Sequence, residues 1–212
     1  YFLVLYDDSM PFITGVGECS VFPGLSMDDT SDFRKKLNDI VDLINRGWFN
    51  LKTPLNGFPS INFAIETAMR DLEMQGSKIF FPSAFTEGKD FIRINGLIWM
   101  GNREETIRQI NQKLNQGFTC LKMKIGSMDF DEEYAIIAAL RKKYSPEDLE
   151  IRLDANGAFR ADEALEYIYR LSDLAIHSIE QPILPAQLDV MAALCETTPV
   201  PIALDEELIG KY

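Results

Sequence analysis

The chain has 212 residues, 46% hydrophobic, 25% charged and 11% aromatic, with a formal net charge of −12. This balance suits a folded globular protein with a sizeable core and excludes a disordered chain. No Lys/Arg-rich block supplies a basic face for nucleic acid, the acidity argues against anionic membrane surfaces, and no apolar run is long enough to span a bilayer.

The first part reads as α+β. Residues 1–6 form an apolar, β-prone run, Asp7-Asp8-Ser9 supplies turn chemistry, and Ile13 to Cys19 can pair back as a hairpin. The chain opens on Tyr1 with neither an initiator Met nor a signal-peptide n-region, so it is expected to begin inside a longer polypeptide. Phe33, Leu37, Ile40, Val41 and Ile44 recur at helical spacing over 31–46, with Gly47 as the stop. A second stripe, Ile61, Ala64, Ile65, Ala68, Met69 and Leu72, predicts a helix with Ser60 as N-cap and Gly76 as the stop. Residues 77–92 show no period and mark the domain boundary, giving a first domain over 1–92 and a second over 93–212.

From residue 93 the pattern alternates. Strands are predicted at Ile94–Met100, Thr119–Ile125, Glu150–Leu153, His177–Glu180 and Pro201–Leu204, with helices near 103–116, 130–143, 161–172 and 186–196. Such alternation means parallel βα units. A doubly wound sheet is disfavoured, because Met100-Gly101-Asn102 is no Gly-rich phosphate loop. A (β/α) barrel is favoured, because strands two to five end in Lys124, Asp154, Glu180 and Asp205, and barrel enzymes build their sites at such strand ends. Five strands leave a barrel open, so more sequence is expected beyond Tyr212; residues 1–212 alone would make an unstable, inactive barrel.

Alternation along Leu121–Ile125 puts Lys122 and Lys124 on one face and Leu121, Met123 and Ile125 on the other. Helices cover the outer face of a barrel strand, so the lysines point inward. Two neighbouring ammonium groups near a metal are expected to lower each other's pKa, as a lysine base requires. Asp154, Glu180 and Asp205 each have a plain structural explanation taken singly: a turn, a surface residue before proline, an acidic first helical turn. Together they recur at nearly equal steps, one per βα unit, which brings three carboxylates to one rim. A divalent cation relieves their repulsion, and all-oxygen ligation without His or Cys suits Mg²⁺. Local cations can still attract an anionic substrate to an acidic protein.

His177, the single histidine, starts a strand and is assigned a structural role. Cys19, Cys120 and Cys195 form no CxxC pair; they are expected to be free, buried packing residues in a reducing, cytoplasmic setting.

Lys122-x-Lys124, Asp154-x-Asn156, Glu180-Gln181-Pro182 and Asp205-Glu206 at successive strand ends resemble the enolase superfamily, and more narrowly its muconate-lactonizing subgroup. The stretches Gly15–Ser20, Asn95–Gly101 and Ile202–Glu207 most resemble o-succinylbenzoate synthases of the Bacteroidetes type. The resemblance covers the whole chain. It implies an α+β capping domain followed by a modified (β/α)7β TIM-like barrel, of which about five strands lie in this span. It implies Mg²⁺ held by Asp154, Glu180 and Asp205, with Lys124 as base, Lys122 assisting and holding the substrate carboxylate, and Asn156 and Glu206 supporting. Arg152 is a possible contact. The implied reaction dehydrates a succinyl-hydroxycyclohexadiene carboxylate through an enediolate, in menaquinone biosynthesis. The implied partner is thus a small-molecule carboxylate; oligomeric state leaves no readable signal. Rival expectations are a dipeptide epimerase or cycloisomerase of the same subgroup, an inactive metal-binding remnant, and an unrelated Mg²⁺-dependent barrel.

Overall fold

The computed structural model describes residues 1–47, 50 and 55–211. It divides into two compact units, Tyr1–Ile92 and Arg93–Tyr212.

In the first unit, β1 (Phe2–Tyr6) and β2 (Thr14–Glu18) form an antiparallel hairpin, followed by α1 (Phe33–Asn45) and α2 (Pro59–Glu73). The Asp7 carboxylate accepts the Ser9 backbone N–H at 2.8 Å, which fixes the turn. Gly15 and Gly17 let β2 lie directly on α2: a Cβ at either position would run into the carbonyls of Ala68 and Ala64. Leu3, Cys19, Phe33, Ile40, Ile61, Ala64, Ile65 and Ala68 make this unit's core. Helix α1 stops where Gly47 adopts φ +68°.

One cap differs from expectation. Helix α2 begins at Pro59, so Ser60 lies inside its first turn rather than at the N-cap. The Ser60 backbone N–H donates to the Asp28 carboxylate at 2.9 Å. A fully buried aspartate from a distant loop thus satisfies the orphan amide that a local serine was expected to satisfy.

The second unit alternates throughout: β3 (Gly96–Ile98), α3 (Arg103–Asn115), β4 (Cys120–Lys124), α4 (Phe130–Lys143), β5 (Glu150–Asp154), α5 (Ala164–Ser172), β6 (Ser178–Glu180), α6 (Leu188–Thr197), β7 (Ile202–Ala203), then a 3₁₀ turn at Glu206–Leu208. All five strands are parallel, and their order in the sheet follows their order in the chain. A doubly wound sheet reverses direction at a switch point; this one never does, which is barrel order.

Leu121, Met123, Ile125, Ile151, Leu153 and Ile179 bury one face of the sheet against Ile110, Ile136, Ile137, Leu140, Ile168, Leu171, Met191 and Leu194 of the helices. Each such side chain contributes about 2 kcal/mol of burial. With that face committed to the helices, the alternate residues of β4, Cys120, Lys122 and Lys124, face the other way. Two helices carry local start signals: Asn102 caps α3 through the Glu105 amide at 3.0 Å, and Asp129 caps α4 through the Asp131 amide at 2.9 Å.

The cysteines correct one expectation. All three are free, but Cys19 alone is buried; Cys120 is half-buried and Cys195 is exposed on α6. No helix among the described residues is long and apolar enough to cross a membrane.

Candidate active site at the strand ends

Parallel register places the candidate residues side by side. Lys122 stands opposite Arg152, Lys124 opposite Asp154, and Asp154 opposite Glu180. Asp205 follows two residues after Ala203, the partner of Glu180.

The lysines and carboxylates meet directly. Lys122 Nζ donates to Glu180 Oε1 at 2.7 Å and lies 3.3 Å from Asp154 Oδ2. Lys124 Nζ donates to the same Asp154 oxygen at 2.9 Å and to Asn156 Oδ1 at 2.6 Å. Asp154 is 1% exposed, while the Lys122 and Lys124 side chains remain 24% and 16% exposed. The aspartate is therefore the buried pivot of the cluster, and the ammonium groups reach it from the open side. The Trp99 ring lies 5.5 Å from Lys124 Nζ, and the Gln109 carboxamide clamps the Trp99 backbone on both its N–H and its carbonyl.

Burial presses the Lys122 pKa down, but the Glu180 hydrogen bond and the charges of Asp154 and Glu180 outweigh it and leave the pKa raised. Two carboxylates, rather than the second ammonium, dominate its surroundings.

The turn after β5 is built by Asn156. Its φ is +44°, a conformation asparagine tolerates better than most residues, and its N–H donates to Asp154 Oδ1 at 3.1 Å. Its side-chain amide donates to Glu206 Oε1 at 3.0 Å. Asn156 thus joins the turn after β5 to the segment after β7. The other oxygen of Glu206, Oε2, is buried with no hydrogen-bond partner.

Asp205 is exposed, and its carboxylate is not drawn into the Asp154–Glu180 cluster. Its backbone N–H donates to Gln181 Oε1 at 3.2 Å. Among the described residues, no three His, Cys, Asp or Glu side chains stand in metal-holding geometry; the acidic oxygens face the two ammonium groups instead. The donor set nonetheless suits a hard cation: carboxylate oxygens on successive strand ends, and an orphaned, buried carboxylate oxygen at Glu206 that lacks the positive partner such an atom requires.

Arg152 lies elsewhere. Its Nε donates to Glu150 Oε1 at 2.6 Å, and it lines a polar cavity with Arg93, Asn95, Thr119 and Cys120 at the opposite ends of the strands. His177 sits at the start of β6, where Nδ1 lies 3.0 Å from Ser178 Oγ.

Three residues that shape the site escaped the sequence reading. Glu133, buried on α4, accepts the backbone N–H groups of Gly126, Ser127 and Met128 just after Lys124. Glu207 accepts the Ala186 N–H with both oxygens. Gln181, fully buried, bonds Asp205 and Glu207. Glu133 and Glu207 lie in acidic runs, which do not distinguish a buried anchor from a solvated face, and Gln181 directly follows the end of β6 with nothing in the sequence to say which amides it accepts.

A parallel βα sheet in chain order, with inward lysines and carboxylates at its strand ends, defines a barrel of the enolase type. Residues 105–212 match the family described as Enolase C-terminal domain-like, and the chain belongs to that family. It is 42% identical to the o-succinylbenzoate synthase of Desulfotalea psychrophila (strain LSv54 / DSM 12343), over 92% of this chain and 62% of that protein. The crystal structure of MenC from Desulfotalea psychrophila LSv54 superposes with a TM-score of 0.77 at 40% identity, covering 99% of this chain and 66% of that one. The o-succinylbenzoate synthase from Thermosynechococcus elongatus BP-1, complexed with Mg in the active site, gives a TM-score of 0.72 at 26% identity over 97% of this chain and 60% of that one. The chain thus spans less than two thirds of the length of these relatives.

Proposed function

We propose that this chain carries the proton-abstracting part of an o-succinylbenzoate synthase. The observation that supports the reading most is the pair Lys122 and Lys124, two ammonium groups set against Asp154 and Glu180 at the ends of adjacent parallel strands. The 42% identity to a synthase narrows the class of substrate.

In this reading Asp154, Glu180 and Asp205 hold Mg²⁺, which supplies Lewis acidity toward the substrate carboxylate when bound. Lys124 is the base that takes the proton next to that carboxylate. Asp154 and Asn156 fix its Nζ, so the proton is abstracted at a defined position. Lys122, an ammonium between Glu180 and Asp154, faces the negative charge that develops on the substrate. Lys124, now protonated, returns its proton to the departing hydroxide. The net change is loss of water, and the cyclohexadiene ring becomes aromatic. Lys124 thus acts at the ring carbon that bears the carboxylate and then at the departing hydroxyl, and the aromaticity of the product drives the second step. A cytoplasmic, menaquinone-pathway role follows from this assignment and stands or falls with it.

The test is turnover by the complete gene product with the succinyl-hydroxycyclohexadiene carboxylate, followed by loss of ultraviolet absorbance. Rapid loss that EDTA stops is expected. Absence of turnover would overturn the synthase reading and direct the search to proton exchange on dipeptides in deuterated water.

A further inference from the structure

The proposed ligands come from three strands, and something must hold the third strand end in step with the other two. We infer that Gln181, which follows Glu180 directly, is the positioning residue that does so. This inference rests on the metal-assisted reading above.

Gln181 is fully buried, yet every polar group it carries is engaged. Its backbone N–H donates to the Ala203 carbonyl at 2.9 Å, and its own carbonyl accepts the Gly157 N–H at 2.7 Å. The main chain therefore ties β6 to β7 on one side and to the turn after β5 on the other. The side chain then turns toward β7. Oε1 accepts two amides at once, from Asp205 at 3.2 Å and Glu207 at 3.1 Å, while Nε2 donates to the Ile183 carbonyl at 2.9 Å.

Two details argue that this arrangement is imposed rather than incidental. Gln181 has φ +38°, an uncommon conformation for a residue with a side chain, held here by bonds on every side. Asp205, at φ −126° and ψ −82°, also departs from helix and strand, so its backbone direction needs an external anchor. That anchor is Gln181 Oε1. Asp205 is exposed and Glu206 keeps a buried, unpartnered oxygen, so the two acidic residues that complete the site hang on a segment fixed at its two flanking amides by one carboxamide.

Carboxylates bind a cation tightly only when their geometry is fixed before it arrives. Gln181→Met keeps the length and fill of the side chain but offers no acceptor to Asp205 or Glu207. In the complete gene product this variant is expected to stay folded by far-ultraviolet circular dichroism. Its Mg²⁺ affinity by calorimetry is expected to fall roughly ten-fold or more, as second-sphere losses do. The Mg²⁺ concentration giving half-maximal turnover should rise in parallel, with kcat largely restored by excess Mg²⁺. A merely structural residue would lower the fraction folded without moving that half-saturation point. Should Gln181→Met not fold, Gln181→Asn, whose carboxamide is one methylene too short to reach, is expected to show the same shift. Asp205→Asn serves as comparator and should weaken Mg²⁺ in the same direction. Wild-type affinity in the folded Gln181 variant, with Asp205→Asn weakened, would overturn the positioning role alone. Failure of the wild-type protein to bind Mg²⁺ would overturn the metal reading and this inference with it.

Discussion

Lys122 and Lys124 are two residues apart on β4, yet they meet different partners. Lys122 bridges Glu180 and Asp154; Lys124 meets Asp154 and Asn156 beneath the Trp99 ring. This division of contacts is why they are given different roles, and it makes Lys124→Ala informative. Turnover is expected to fall by roughly a thousand-fold or more, while calorimetry still detects Mg²⁺ binding, because no ligand is removed. Substantial residual turnover would show that another group is the base. The strand-end placement of Lys122, Lys124, Asp154 and Glu180 could be read from the sequence because alternation and the βα period fix the face and the rim; the Asp205 carboxylate does not join them. Gln181, Glu133 and Glu207 could not. Their roles depend on which amide lies across a loop, and no local rule encodes that. Arg152 shares a face with Lys122, but its guanidinium pairs with Glu150 toward the other end of the strand, which alternation does not reveal.

Elements in this protein are joined by buried carboxylates on backbone amides. Asp28 caps α2, Glu133 gathers three amides after β4, Glu207 holds Ala186, and Asp71 accepts the amides of Val16 at 2.8 Å and Lys78 at 2.9 Å as well as the Lys78 ammonium. Such anchors bind residues far apart in sequence, which is why the expected Ser60 cap was wrong while the helix itself was placed well. Strand bounds also differ: β3, β4, β6 and β7 are shorter than expected, while β5 runs one residue further, to Asp154. Strand β3 lies at the sheet edge, and its ladder with β4 extends only over Gly96–Ile98. Asp71 yields a prediction in pH. Burial pushes its pKa up, but the hydrogen bonds from Lys78 and Val16 and the Lys78 charge pull it further down, so the net shift is below the ordinary 3.8. A lowered carboxylate pKa stabilises the folded state above the unfolded value, and that stability is lost as pH falls through the folded value. Thermal midpoints measured from neutral pH down past 3.8 should therefore drop less steeply in Asp71→Asn than in wild type. At neutral pH the variant should already be about 2 kcal/mol less stable, because Val16 or Lys78 loses its acceptor. Parallel pH profiles would show that the ionisation of Asp71 contributes no stability.

Across the molecule, the acidic groups outnumber the basic ones, 33 to 21, yet two of the lysines are turned toward the strand ends where carboxylates gather. Chain-order pairing of five parallel strands brings them there. The overall field attracts cations, and the local lysines oppose them. Two unit charges 4 Å apart interact by about 4 kcal/mol at an intermediate effective dielectric, before screening. Removing one positive charge from beside Asp154 and Glu180 should thus tighten a divalent cation even as it harms catalysis. Lys122→Met in the complete gene product is expected to bind Mg²⁺ on the order of ten-fold more tightly by calorimetry, with its thermal midpoint raised further than wild type's by the same Mg²⁺ concentration. Turnover should fall in the same variant. A ligand or a neutral packing residue at this position would not move affinity and turnover in opposite directions. If Mg²⁺ affinity were unchanged or weakened, the cation would not lie beside Lys122, and Asp154 and Glu180 would have to be read as the lysines' structural partners.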